Sequence, residues 1–113
     1  MTKTLFERIA DREIPAAFIH EDEHCFAIKD INPQAPLHAL VIPRKLIVKL
    51  SDSKPEDQAL LGHLLLVANK IAAEAGYAGA FRLVVNNGAE AGQSVFHLHV
   101  HVLGGRPMKW PPG

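Results

Sequence analysis

The chain has 113 residues, of which 48% are hydrophobic and 21% are charged, a composition typical of one globular domain spanning residues 1–113. Twelve basic residues balance twelve acidic ones, so no overall field attracts nucleic acid or an anionic membrane. The only cysteine is Cys25, which excludes an intrachain disulfide and a cysteine-based zinc cluster. Without a signal peptide or an apolar segment of bilayer length, we expect a cytoplasmic protein that binds neither membranes nor nucleic acids.

The first predicted element is a short helix over residues 4–13. Thr4 is its expected N-cap, and Glu7, three residues later, completes a capping box. Two short apolar-rich segments follow, at residues 17–20 and 25–29. Because a polar stretch separates them, they predict two strands joined as a hairpin.

A third strand is predicted at residues 38–42, where proline follows and ends the ladder. Apolar residues then recur at helical spacing over residues 55–75, which predicts the long helix. Asp52 or Ser53 is its expected N-cap, and Gly76 suits the left-handed position just past its end.

Two more strands are predicted at residues 82–86 and 97–103, and residues 104–113 form an irregular, proline-rich tail. The order of helix, hairpin, strand, long helix and hairpin is typical of an α+β fold. We therefore expect a mainly antiparallel five-stranded sheet with one long and one short helix.

Three histidines alternate with apolar residues in the last predicted strand. Successive side chains of a strand point to opposite faces, so one face carries imidazoles and the other is apolar: His97, His99 and His101 against Leu98, Val100 and Val102. A merely solvated polar face is the plain interpretation. Three alternating imidazoles fit better with proton transfer, metal binding or nucleophilic attack.

Zinc binding is one alternative for these histidines, since His-x-His on a strand can supply two ligands. The Cα atoms of His97 and His101 should lie about 13 Å apart on a strand, whereas two imidazoles on one ion favour about 10 Å. The three histidines therefore do not easily share one ion. A two-histidine site would need further ligands, for which His38, Asp30 and Glu90 are available.

The other alternative makes His99, the middle histidine, a nucleophile. This role needs a neutral ring whose tautomer is fixed by a hydrogen bond at its other nitrogen. The turn Gly92-Gln93-Ser94 could supply consecutive backbone N–H groups that cradle a phosphate.

The segment from His97 to Leu103 resembles the signature of the histidine-triad family. The resemblance extends over nearly the whole chain, and it is closest to the histidine-triad nucleotide-binding protein branch, the purine nucleoside phosphoramidases. It rests on these further segments: Asp30-Ile31-Asn32-Pro33-Gln34-Ala35-Pro36, His38, Leu40-Val41-Ile42-Pro43, Val84-Val85-Asn86, Gly92-Gln93-Ser94-Val95, Gly104-Gly105-Arg106 and Trp110-Pro111-Pro112-Gly113.

The resemblance implies a metal-independent hydrolase without a cofactor. His99 attacks the α-phosphorus of a nucleoside 5′-phosphoramidate, expels the amine and is released from the nucleotidyl-histidine intermediate by water. The backbone carbonyl of His97 orients the nucleophile, while His101 and His38 lie near the phosphate.

The resemblance also implies the contacts to the nucleotide, which is an AMP or GMP derivative. Asp30 binds the ribose hydroxyls, Asn86 and Ser94 contact the phosphate and leaving group, and the backbone of residues 92–94 forms the phosphate cradle. Five side chains match the apolar purine pocket: Leu5, Phe6, Ile9, Ile28 and Ile31. The remaining histidines match no catalytic position and are interpreted as surface or structural residues: His20, His24 and His63.

Family members are homodimers in which two sheets join and the tail, with Trp110, approaches the partner's site. Two other functions stay open. One is hydrolysis of dinucleoside polyphosphates, which uses the same histidines, although the tail favours the phosphoramidases. The other is a nucleotide-binding scaffold protein in which hydrolysis is incidental.

Overall fold

A computed structural model describes residues 2–113. Their elements, in chain order, are the helix α1 (Leu5–Ala10), the strands β1 (Phe18–Glu21), β2 (Cys25–Lys29) and β3 (Leu37–Pro43), the helix α2 (Gln58–Glu74), and the strands β4 (Phe81–Val84) and β5 (Val100–Gly104). The strands form one sheet in the order β1-β2-β3-β5-β4, and every neighbouring pair is antiparallel. The predicted α+β fold is confirmed.

Helix α1 begins with the predicted capping box. The Thr4 hydroxyl accepts the backbone N–H of Glu7 at 3.1 Å, and the Glu7 carboxylate accepts the backbone N–H of Thr4 at 2.8 Å. The helix is shorter than residues 4–13, because Arg12 adopts a left-handed conformation with φ of 63° and turns the chain away.

Helix α2 confirms the predicted long helix but not its N-cap. Neither Asp52 nor Ser53 caps it. Instead, the Asp57 carboxylate accepts the backbone N–H of Lys54 at 2.9 Å, beside a single 3-10 turn that leads into the helix. Gly76 follows the helix with φ of 93°, as predicted. Within residues 2–113 no helix is both long and apolar enough to cross a membrane.

The sheet separates two apolar clusters, one on each face. In β3 the side chains alternate, so Ala39 and Val41 pack under α2 while Leu40 and Ile42 join the cluster beneath α1. Both sets are buried because β3 is the central strand. The face that α1 covers is the one that carries the predicted site.

The last two strands differ from their predicted bounds. β4 ends at Val84, which places Asn86 in the following loop, and β5 extends to Gly104. β5 also begins only at Val100, because the preceding Leu98 donates its N–H to the Ile47 carbonyl at 2.7 Å, outside the ladder. The alternation of faces nevertheless continues through this segment, since Leu98 packs in the α2-side cluster and the flanking histidines do not.

Candidate active site

His99 is held by the carbonyl of His97, whose oxygen lies 2.8 Å from Nδ1 of His99. Because a carbonyl only accepts, Nδ1 carries the proton and Nε2 holds a free lone pair. Burial lowers the pKa of His99, although the His97 carbonyl and Asp30 raise it in part. The neutral imidazole is therefore the form present at pH 7.

The lone pair of His99 Nε2 is accessible. No buried side-chain nitrogen or oxygen of residues 2–113 lacks a hydrogen-bond partner, and Nε2 has none among those residues, so this atom reaches the surface. His99 as a whole residue is only 8% exposed. Its ring edge packs against the Phe6 ring, with 5.0 Å between the centroids, which limits its rotation.

His97 uses both ring nitrogens within the protein. Nε2 donates to the Pro43 carbonyl at 2.8 Å, so Nδ1 is unprotonated and accepts from the Thr4 hydroxyl at 2.9 Å. Burial lowers the pKa of His97, and its side chain is 1% exposed. His97 cannot attack a substrate, and its contribution is to fix the carbonyl that binds His99.

His38 and His101 form a second hydrogen-bonded chain. Nδ1 of His38 accepts the backbone N–H of Gln34 at 3.0 Å, which leaves the proton on Nε2. That proton is donated to Nδ1 of His101 at 2.9 Å, so Nε2 of His101 must carry its own proton. Burial, together with the neighbouring His99 and His38, lowers the pKa of His101 to about 4. His101 is thus a neutral N–H donor next to His99, with 5.1 Å between the ring centroids.

Asp30 lies beside this chain. Its Oδ1 accepts the backbone N–H of Asn32 at 2.8 Å in a local turn, and its Oδ2 lies 3.4 Å from Nε2 of His38. Donor atoms of Asp30, His38 and His101 lie within 4.8 Å of one another. Two of the three residues considered as additional zinc ligands, His38 and Asp30, therefore meet His101, whereas Glu90 does not belong to this group.

The loop before the histidines corrects part of the predicted phosphate cradle. The backbone N–H groups of Gly92 and Gln93 donate to the carbonyls of Ala89 and Gly88, at 3.0 and 3.1 Å. Both are committed within the loop, so three consecutive free amides are not available. The Gln93 side chain is also committed, since its amide donates to Val48 and accepts from Gly88.

Asn86 and Ser94 lie around the same loop. The Asn86 amide covers Gly92, where an added Cβ would lie 3.7 Å from it, and Gly92 has φ of 99°. Ser94 is exposed. The loop thus presents polar side chains at its surface, while the backbone N–H groups of Gly92 and Gln93 are hydrogen-bonded within the loop.

The five predicted purine-pocket residues separate into two groups. Phe6, Ile9 and Ile28 are buried in the α1-side cluster, whereas Leu5 is half-exposed and Ile31 is fully exposed. A cavity of about 360 Å³ lies beside α2, where Ile71 and Ala75 line it. Asp30 and His38 also border this cavity, whereas His99 does not. The cavity therefore reaches the chain of His38 and His101 but not His99.

The tail is tied to the body at two points, although its tryptophan is not. Arg106 donates to the Gln34 carbonyl at 2.7 Å, and Arg82 donates to the Lys109 carbonyl at 2.9 Å. Trp110 is 83% exposed.

Three groups that position the histidines were missed by the sequence analysis: the Thr4 hydroxyl, the Pro43 carbonyl and the Gln34 backbone N–H. The sequence signal for Thr4 was its capping role alone. Its contact with His97 crosses 93 positions of the chain, and no local pattern predicts such a contact.

The HIT domain profile matches residues 11–108. The chain belongs to the HIT domain family. This HIT domain is 62% identical to an uncharacterized HIT-like protein of Synechocystis sp., over 97% of this chain and 96% of that protein. Among solved structures, a HIT family hydrolase from Legionella pneumophila is 46% identical with a TM-score of 0.96, and the alignment covers 98% of this chain and all of that one. A HIT family hydrolase from Clostridium thermocellum is 41% identical with a TM-score of 0.92, at 96% coverage of both chains.

Proposed function

We propose that this HIT protein is a purine nucleoside phosphoramidase, which hydrolyses the P–N bond of nucleoside 5′-phosphoramidates through a covalent intermediate on His99. The observation that carries the proposal is the bond from Nδ1 of His99 to the His97 carbonyl, because it leaves Nε2 as an unprotonated nucleophile at the surface. Two solved relatives named hydrolases support hydrolysis. The choice of the P–N bond rests on the resemblance to the phosphoramidase branch.

In the first step, Nε2 of His99 forms a bond to the α-phosphorus, and the P–N bond breaks. The leaving nitrogen keeps the bonding electron pair and takes up one proton from solvent, which completes the amine. The ring becomes positively charged, and its Nδ1–H stays on the His97 carbonyl, which stabilises that charge. His101 donates its Nε2–H to the reacting phosphoryl group.

In the second step, water attacks the phosphorus and the bond to Nε2 breaks. The products are the nucleoside monophosphate, free His99 and one proton. Since the first step takes up the proton that the second releases, the cycle consumes only water. His38 keeps His101 in the donor tautomer throughout.

The nucleotide contacts are proposed at the groups that surround His99. The Asp30 carboxylate receives the ribose hydroxyls, and Asn86 and Ser94 bind the phosphate or the leaving group. The exposed side chains of Leu5 and Ile31 cover the purine ring above the buried cluster. AMP and GMP derivatives both fit an apolar surface of this kind.

Label transfer tests this proposal. The full chain is incubated with an adenosine phosphoramidate labelled at phosphorus, denatured in alkali, where a phosphorus–imidazole bond survives, and digested for peptide mapping. We expect label on His99 and none in the His99→Ala variant, and EDTA should leave turnover unchanged. Label on His97 or His101, or loss of turnover upon chelation, would contradict the proposal.

A parallel assay separates the alternatives. Faster turnover of a diadenosine polyphosphate than of the phosphoramidate would assign the protein to the dinucleoside polyphosphate hydrolases. Tight AMP binding without turnover of either compound would identify a nucleotide-binding scaffold.

We also propose that the protein acts as a homodimer. β4 is an edge strand of the sheet, and an edge exposes unpaired backbone groups. On α2, Leu65 is 51% exposed and Leu66 is 70% exposed. Light scattering should give twice the chain mass, and a Leu66→Glu variant should give a monomer. A monomeric mass at micromolar concentration would contradict this assembly.

A further inference from the structure

The histidines that the proposed reaction does not use lie on the opposite face of the sheet, around Asp22. This residue lies in the turn between β1 and β2. Its Oδ1 accepts the backbone N–H groups of His24 and Cys25, at 2.7 and 2.8 Å. The carboxylate is therefore fixed in direction by the turn itself, and Oδ2 remains for other partners.

Three side chains from three elements converge on that oxygen. Nε2 of His20, on β1, and Nε2 of His63, on α2, each lie 2.7 Å from Oδ2 of Asp22. The Cys25 sulfur, at the start of β2, lies 3.5 Å from the same oxygen. Ligand atoms of His20, Asp22 and Cys25 thus lie within 4.8 Å of one another, and His63 adds a second imidazole on the same carboxylate oxygen.

This set of donors matches the ligands of a tetrahedral transition-metal site. At bond lengths of about 2.1 Å to nitrogen or oxygen, neighbouring ligand atoms of a tetrahedron lie about 3.3 Å apart. The sulfur already lies near that spacing from Oδ2, and each imidazole nitrogen withdraws from Oδ2 by roughly 0.6 Å. His63, which lies outside the mutual 4.8 Å of the other three ligand atoms, also turns towards them on binding. The cysteine is fully buried, whereas His63 and Asp22 reach the surface, so an ion has a path inward.

A hydrogen-bonded anchor between the hairpin and α2 is the simpler interpretation of Asp22. It accounts for both imidazoles on the carboxylate, but it does not explain why the third donor on the same oxygen is the thiol of a buried cysteine. Arg44 does not pair with the Asp22 carboxylate, because it donates to the Asp22 carbonyl at 2.9 Å and lies 3.7 Å from the Glu21 carboxylate.

We propose that His20, Asp22, Cys25 and His63 bind a divalent transition ion of the zinc class. Because the Asp22 carboxylate only accepts, Nε2 of His20 and of His63 carries the proton before binding. On binding, the Cys25 thiol releases its proton to solvent, and each imidazole exchanges its proton with solvent so that Nδ1 is protonated and Nε2 binds the ion. The ion joins the β1–β2 hairpin to α2, away from His99, so it stabilises the fold without entering the reaction.

Cobalt(II) is the probe for this site, because Cys25 is the only cysteine of the chain. A thiolate-to-cobalt charge-transfer band can therefore arise only here. The EDTA-treated full chain is titrated with Co²⁺, and we expect one equivalent to give this band together with the visible absorption of tetrahedral cobalt. Zinc should displace the cobalt and raise the unfolding temperature. Absence of the thiolate band from the folded wild-type chain would overturn the proposal.

Three variants locate the ion. His63→Asn, at a partly exposed position, should remain folded and bind cobalt at least about 100-fold more weakly, since even supporting residues around a metal typically contribute 10- to 100-fold. Asp22→Asn keeps an oxygen for the turn and should weaken binding similarly. The matched control is His101→Asn in the other histidine group, which should retain the full band. Unchanged affinity in His63→Asn and Asp22→Asn, or loss of the band in His101→Asn, would contradict the assignment.

Discussion

The two faces of the sheet each hold a group of histidines, and the groups differ in what their nitrogens contact. On the α1 face, the imidazoles bond to carbonyls, a hydroxyl and one another. Burial there lowers the pKa of His97 and His99, and lowers that of His101 to about 4. On the α2 face, Nε2 of His20 and Nε2 of His63 each bond to the charged carboxylate of Asp22.

In the second group, hydrogen bonds rather than burial decide the direction in which the pKa of the carboxylate shifts. Burial raises the pKa of Asp22, but hydrogen bonds from His20, the His24 backbone and His63 outweigh it and hold this pKa well below its usual range. Burial outweighs the Asp30 carboxylate beside the first group and keeps its imidazoles neutral, available as a nucleophile and N–H donor. A charged partner makes the second group suited to holding a cation.

Replacing His99 should reveal the largest difference between the two histidine groups. In His99→Ala we expect turnover to fall by about 10⁴-fold or more, because the covalent step has no substitute nucleophile. AMP affinity should change little, since Asp30 and the apolar surface remain. The matched variant His63→Ala, on the other face, should turn over substrate like the wild-type chain. Steady-state kinetics and calorimetric AMP titration check both variants, and equal losses in the two would remove the distinction between the faces.

Removing a neighbour of the nucleophile should have a smaller effect. His101→Ala and His38→Ala should slow turnover by about 10²- to 10⁴-fold, the usual range for lost proton-transfer or electrostatic assistance. Both variants should still acquire label on His99, at a reduced rate in single-turnover experiments. If His101→Ala never becomes labelled, the roles given to His99 and His101 are wrong.

The Thr4 hydroxyl caps α1 and also bonds to His97, whose carbonyl holds His99. Replacing Thr4 therefore tests whether stability and turnover both depend on this hydroxyl. Thr4→Val loses the N-cap and leaves Nδ1 of His97 without its donor. We expect the free energy of unfolding to fall by about 2–3 kcal/mol, with reduced turnover. Thr4→Ser keeps both hydrogen bonds and should resemble the wild-type chain. Denaturant unfolding checks this, and equal stability of the Val and Ser variants would contradict it.

The pH dependence of stability should also distinguish the faces. The pKa of His101 is about 4 in the folded chain against 6.5 for a solvent-exposed histidine, so between these values the unfolded chain binds more protons. Stability is then highest above pH 6.5 and is lost as pH falls towards 4. The pKa of Asp22 is depressed from 3.8, so its contribution is complete above that value and is lost only in stronger acid.

Denaturant unfolding between pH 4 and pH 7 measures this slope. We expect His101→Ala to flatten it, whereas Asp22→Asn should lower stability about equally across this range. A slope unchanged by His101→Ala would show that His101 is not held neutral.

Several elements could be predicted because their signals are local. The capping box of Thr4 and Glu7, the glycine after α2 and the apolar periods of the strands each depend on neighbours within a few residues. The alternation that places His97 and His99 on one face was also predicted. It holds although β5 begins only at Val100, because Leu98 still packs in the core.

Contacts between distant segments could not be predicted. The bond from Thr4 to His97 and the meeting of Asp22 with His63 depend on how α1 and α2 pack on the sheet. Part of the predicted cradle is unavailable for the same kind of reason. A glycine-containing turn allows free amides, but here Ala89 and Gly88 accept those of Gly92 and Gln93.

The protonation state of His99 tests the central claim most directly. In the chain labelled with ¹⁵N-histidine, two-dimensional NMR spectra that correlate ring nitrogens with ring protons report the tautomer of each imidazole. At pH 7 we expect His99 to be neutral, with its proton on Nδ1 and a bare Nε2, while His38, His97 and His101 carry theirs on Nε2. A protonated imidazolium at His99, or a neutral ring with the proton on Nε2, would contradict the account.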